Sequence, residues 1–119
     1  MKTNPREILL YYNEDSSSDR KTLAMAQSIS RHIKSYDFKR SSNSPTGWQF
    51  ILNNLNIHPK LLFNKAHPEY QKNIRGKEFG TEDWINILSN NPHLMKAPIA
   101  IKGNQVVLVG TPTDIYRLL

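Results

Sequence analysis

Apolar side chains first gather in Ile8-Leu9-Leu10-Tyr11-Tyr12, a short unbroken run of strand-forming residues that stops at Asn13. A run of that length and composition predicts a buried strand. The period then changes. Leu23, Met25, Ala26, Ile29 and Ile33 recur at helical spacing, which predicts a helix from Asp19 onward with Ser18 or Asp19 as its N-cap. Tyr36-Asp37-Phe38-Lys39 alternates apolar and polar side chains and predicts a second strand, and Arg40 to Ser44 is a polar loop. Ser44-Pro45-Thr46 opens another helix, with serine at the cap and proline in the first turn. Its apolar face is Trp48, Ile51, Leu52 and Leu55.

From Ile57 to Gly80 the chain is polar and punctuated by Pro59, Pro68, Gly76 and Gly80. It predicts short helical pieces, too brief to own a core. Thr81-Glu82-Asp83 then caps a helix whose apolar face is Trp84, Ile85, Ile87 and Leu88, ending near Asn91-Pro92. Two runs of strong β composition follow, Pro98 to Lys102 and Gln105 to Val109. The Gly103-Asn104 pair between them predicts a hairpin. Thr111-Pro112-Thr113-Asp114 caps a last helix through Ile115, Leu118 and Leu119. Strand, helix, strand, helix, helical insertion, helix, strand, strand, helix is the order of a thioredoxin-like α/β domain, with a parallel first pair of strands joined to an antiparallel hairpin. Pro98, heading the third strand, is expected to be cis as is common in that fold.

At 119 residues the chain is expected to form one domain. No apolar run approaches the ~20 residues of a membrane helix and the N-terminus lacks the apolar core of a signal peptide, so a cytoplasmic protein is expected and a membrane partner is not. The net charge of +6 brings acidic partners into view, nucleic acid first. However, the lysines and arginines are scattered, without a tract of five and without an aromatic ladder, so a solvated basic surface is the favoured account and nucleic acid is not expected. Trp48 and Trp84 fall on helical apolar stripes and are assigned to the core. His32, His58, His67 and His93 show no metal-ligand spacing, Glu69 and Glu78 show no hydrolytic pairing, and there is no glycine-rich phosphate loop. No metal or cofactor is expected.

The remaining chemistry lies where the first strand turns into the first helix, at Asn13-Glu14-Asp15-Ser16-Ser17-Ser18-Asp19-Arg20. Such a turn gathers backbone N–H groups where the helix dipole favours negative charge. The chain has no cysteine, so thiol chemistry is excluded. Ser16, Ser17 and Ser18 are read first as caps, then as a weak anion cradle and last as nucleophiles, because no histidine falls near enough in sequence to act as a base. Asp15 and Asp19 would repel an anion.

With both ends read, the chain resembles the arsenate reductase (ArsC) and Spx family, a glutaredoxin-like branch of the thioredoxin fold. The resemblance is carried by Tyr12-Asn13 before the loop, Ser18 to Leu23 as a helix start, Leu61-Leu62 followed by Tyr70, Asn91-Pro92-His93-Leu94-Met95 leading to Ala97-Pro98-Ile99-Ala100-Ile101, and Val109-Gly110-Thr111-Pro112. It implies a four-stranded mixed sheet with flanking helices and a helical insertion over about 57–91. It also implies that the family's nucleophilic cysteine falls at Ser16 and its oxyanion-holding arginines at Phe63, Ala97 and Thr111, while Arg20 survives. Nucleophile and cationic partners are thus replaced together. The expectation is a cysteine-free pseudoenzyme that works as a binding or regulatory module. Its contact face would be Asn13, Ser16, Ser17, Ser18, Arg20, Ala97 and Pro98, and a protein partner would supply an extended peptide that pairs with the residue before the proline. Two alternatives stand beside it: a divergent oxidoreductase dependent on glutathione and glutaredoxin, and an Spx-like regulator associated with RNA polymerase or nucleic acid.

Overall fold

The computed structural model describes residues 6–38 and 44–119; residues 40–43 of the loop expected over 40–44, and Lys39 of the expected second strand, lie outside them. The chain runs through β1 (Ile8–Tyr12), α1 (Ser17–Ile29), β2 (Ile33–Asp37), α2 (Pro45–Leu55), a 3-10 turn Pro59–Leu62, α3 (Pro68–Asn73), α4 (Thr81–Asn90), a 3-10 turn Pro92–Leu94, β3 (Ile99–Lys102), β4 (Gln105–Leu108) and a 3-10 helix Pro112–Leu118. The four strands form one sheet in the order β2-β1-β3-β4. β1 runs parallel to β2, with Ile8 level with Ile33 and Tyr12 with Asp37. It runs antiparallel to β3, and β3 to β4. This is the thioredoxin-like arrangement.

Side chains on successive strand residues point to opposite faces, so the unbroken apolar run of β1 supplies two cores. Leu9, with Ile99, Ile101 and Val106, meets Trp48, Ile51 and Leu52 of α2 and Trp84, Ile85 and Leu88 of α4. Ile8 and Leu10, with Ala100 and Val107, meet Ala26 of α1 and Ile115 and Leu118 of the last helix. Both tryptophans are almost fully buried. The β3–β4 hairpin closes through Gly103, whose φ of +60° suits glycine at the first position of a two-residue turn.

Several boundaries differ from the sequence expectation. α1 begins at Ser17, its N-cap is Ser16 rather than Ser18 or Asp19, and it ends at Ile29 with Ser30 extended. Ser30 Oγ accepts the His32 N–H at 3.1 Å, a local bond that competes with further helix. Ile33 therefore belongs to β2, which starts three residues before the expected Tyr36 because parallel pairing along all of β1 outweighs the weak local alternation. Gly80, not Thr81, occupies the N-cap position of α4, without a side-chain bond. The last helix is 3-10 throughout. No peptide bond among the described residues is cis, so Pro98 is trans, the isomer that X-Pro bonds ordinarily favour.

The insertion is built from capped short pieces. His58 Nδ1 accepts the Lys60 N–H at 3.0 Å and His67 Nδ1 the Glu69 N–H at 3.1 Å, each just ahead of a proline in the first turn. Thus both His-Pro pairs serve as N-caps. An isolated antiparallel bridge between Phe63 and Met95 ties the two ends of the insertion together. Asn64 N–H bonds Leu94 C=O at 2.6 Å and Lys96 N–H bonds Leu62 C=O at 2.9 Å.

Candidate functional site

The loop leaving β1 is organised around one buried carboxylate. Asn13 folds back on itself: its Oδ1 accepts the Asp15 N–H at 3.0 Å, and its C=O accepts the Ser16 N–H at 3.0 Å. Ser16 Oγ accepts the Asp19 N–H at 3.2 Å and donates its proton to Asp19 Oδ1 at 3.2 Å. Asp19 Oδ2 accepts the Asn13 N–H at 2.8 Å. Asp19 is only 8% exposed. Burial pushes its carboxyl above the ordinary value, and the bonds from Asn13 and Ser16 oppose that rise. The Asn13 amide and the Ser16 hydroxyl are thus both held by the chain's own carboxylate. Arg20 Nη1 donates to the Glu14 C=O at 2.8 Å and clamps the outside of the loop. Ser17 and Ser18 are exposed.

The hairpin supplies the other wall. Tyr11 is level with Ile99; continued in antiparallel register, Pro98 falls beside Tyr12 and Ala97 beside Asn13. The sequence-selected Ala97-Pro98 pair thus shares the sheet end that carries the serine loop. Lys96 N–H is bonded to Leu62 C=O, and Pro98 C=O accepts the Val109 N–H at 2.8 Å. Between these paired neighbours, the Ala97 N–H and C=O carry no hydrogen bond among the described residues. Ala97 and Pro98 are both buried.

The other two positions that the resemblance selects lie in different settings. Phe63 is 1% exposed and packs its ring against Tyr70 and Trp84 at centroid separations of 5.8 and 5.2 Å, so it belongs to the core. Thr111 is exposed and heads the last 3-10 helix, its N–H bonded to Asp114 Oδ2 at 3.0 Å. Hence the structure joins Asn13, Ser16, Arg20, Ala97 and Pro98 at one end of the sheet and gives Phe63 a packing task.

Sequence patterning missed two features. In sequence Asp19 is a cap candidate or a charge that repels anions, and nothing in its spacing signals that it turns inward. The second is a polar cluster in the insertion: His93 Nε2 meets Glu69 Oε2 at 2.8 Å, and the His67 and His93 rings lie edge to face at 5.6 Å. The hydrogen bond from His93 holds the Glu69 carboxyl below its ordinary value, with the nearby His93 and His67 charges adding to it. Only the spacing of His67 to Glu69 is visible in sequence, since His93 arrives from 24 residues away.

Comparison with known proteins agrees with this geometry. A model of the ArsC family matches residues 11–119. The arsenate reductase from Vibrio cholerae superposes with a TM-score of 0.82 at 17% identity, covering 98% of this chain and 100% of that one. An arsenate reductase (ArsC) related protein from Brucella melitensis superposes with a TM-score of 0.67 at 11% identity, covering 98% of this chain and 97% of that one. At such identities the likeness speaks for the fold. No curated protein matches the chain by sequence. With a family match that runs from the end of the first strand to the last residue, and the family's sheet and insertion both present, the chain belongs to the ArsC family.

Proposed function

We propose that this ArsC-family chain is a non-catalytic, cytoplasmic binding module that receives an extended segment of a partner protein at the sheet end bearing Ser16 and Ala97-Pro98. The observation that carries this is the state of Ser16. By the family resemblance it stands where a reductase holds its thiol, and here it is an alcohol whose proton is engaged by Asp19 and whose oxygen caps α1. An alcohol so held, in a chain without cysteine, supplies neither the thiolate attack nor the mixed disulfide of a thiol-based cycle.

The binding half draws on Ala97. Its N–H and C=O have no partner among the described residues, and an extended peptide can take up both by strand-like pairing. Incubation with arsenate, glutathione and glutaredoxin tests the first half: the expected result is no turnover above a boiled control, and turnover would favour the divergent oxidoreductase. Hydrogen exchange tests the second. The Ala97 amide should exchange faster than those of Lys96 and Val109 in the free protein and become protected when a peptide binds.

A further inference from the structure

We propose that the segment received at Ala97 is acidic, with Lys65 and Lys96 recognising its carboxylates beside the exposed side chain of Leu61. This rests on the peptide-binding reading above and adds the chemistry of the partner. A shallow cavity of about 230 Å³ is lined by Leu61, Phe63, Asn64, Lys65 and Lys96, with no carboxylate among them. Neither ammonium has an acidic partner among the described residues, whereas Lys34 meets Glu7 at 3.5 Å. Leu61 is 44% exposed, one of three large apolar side chains left so open among the described residues. The Phe63–Met95 bridge holds the segments bearing the two lysines side by side, and Ala97 directly follows Lys96.

These features call for one occupant. A peptide strand advances about 3.3 Å per residue and repeats its facing side chains every second residue. A chain paired with the Ala97 N–H and C=O therefore reaches the lysine-flanked cavity within a few residues, where carboxylates at alternate positions would meet the ammoniums and their methylene stems would lie over Leu61. The net charge of +6 steers an acidic ligand toward this surface. A polynucleotide would meet the lysines through its phosphates but has no peptide backbone with which to extend the strand-like pairing at Ala97.

The test is a titration of isotopically labelled protein with acetylated, amidated octapeptides in which valine alternates with glutamate, glutamine or lysine. The glutamate peptide should shift the Lys65, Lys96 and Ala97 amides and bind about tenfold more tightly than the glutamine peptide, as two partly solvated ion pairs allow. The advantage should shrink at high salt. Both lysines are exposed, so a Lys65→Glu, Lys96→Glu double variant should fold normally and prefer the lysine peptide. Equal binding of glutamate and glutamine peptides at Ala97 would overturn the acidic assignment while leaving the peptide reading intact. Failure of every peptide to touch Ala97 would overturn both. A single-stranded oligonucleotide that shifts the same amides and outcompetes the glutamate peptide would replace the peptide with a nucleic acid.

Discussion

Replacing Asp19 with alanine tests the internal-anion account of the loop directly. The substitution removes the acceptor of the Asn13 N–H at 2.8 Å and of the Ser16 hydroxyl at 3.2 Å, at a residue only 8% exposed. Hydrogen bonds to a charged group contribute about 1.5–3 kcal/mol each, and the donor left behind carries its own desolvation cost. Against this, the variant escapes the cost of keeping a carboxylate out of water, so a net loss of about 1–3 kcal/mol is expected at neutral pH. For a chain of this size that lowers Tm by about 3–6 °C per kcal/mol. Asp19→Asn keeps the shape and an acceptor without the charge, and pH separates the two effects. Burial raises the folded carboxyl above 3.8, so the folded state holds this proton more tightly than the unfolded chain does. The stabilisation from that proton is complete below 3.8 and is lost as pH rises through the folded value. Urea unfolding across acid to neutral pH should therefore show the Asn variant gaining on the native protein as pH rises through that window. An Ala variant within 0.5 kcal/mol of the native protein, or Asn and Asp curves that stay parallel with pH, would refute the account.

Four further outcomes follow from the same structure. Ser16→Ala should lose the N-cap of α1 and about 1 kcal/mol of stability, measured by urea unfolding. Ser16→Cys alone should give a thiol that titrates at or above the ~8.5 of a free cysteine, because Asp19 accepts its proton; adding Asp19→Ser should bring it below that value by ultraviolet thiolate absorbance, since the helix N-terminus then acts unopposed. Leu10→Ala, at a fully buried position between two strands and α1, should cost about 2–5 kcal/mol in the same unfolding assay. By carbon-detected NMR titration, Glu69 should ionise below 4.5, and His93→Gln should move it back upward; its small stabilising contribution is present above 4.5 and fades as pH falls through the folded value.

The sheet is legible because β1, β3 and β4 each hold a run of three or more apolar residues next to asparagine or glycine turn signals, where local preference and burial agree. The start of β2 is hidden in the sequence because Ile33 fits both the helical stripe of α1 and the strand it joins; only its partner Ile8 decides. The position of the site was legible from the small polar residues between β1 and α1. Its chemistry was not, since Asp19 could face solvent or the loop at the same helical position, and the choice depends on the Asn13 amide six residues earlier. Phe63 shows the opposite limit. Its rank in the family motif suggests a ligand-facing place, while an aromatic ring with Tyr70 and Trp84 within reach gains more from burial.

The clamp between Asp19 and the Asn13 amide also bears on how the central strand finds its alignment. Ile8 to Tyr12 is apolar throughout, so sliding it one step exchanges its two faces without placing any polar side chain inside, and alternation alone penalises such a slip weakly. A displaced strand would carry Asn13 away from the carboxylate and strand a charge in the interior. The buried aspartate thus acts as a peg that distinguishes the native alignment from its one-residue neighbours.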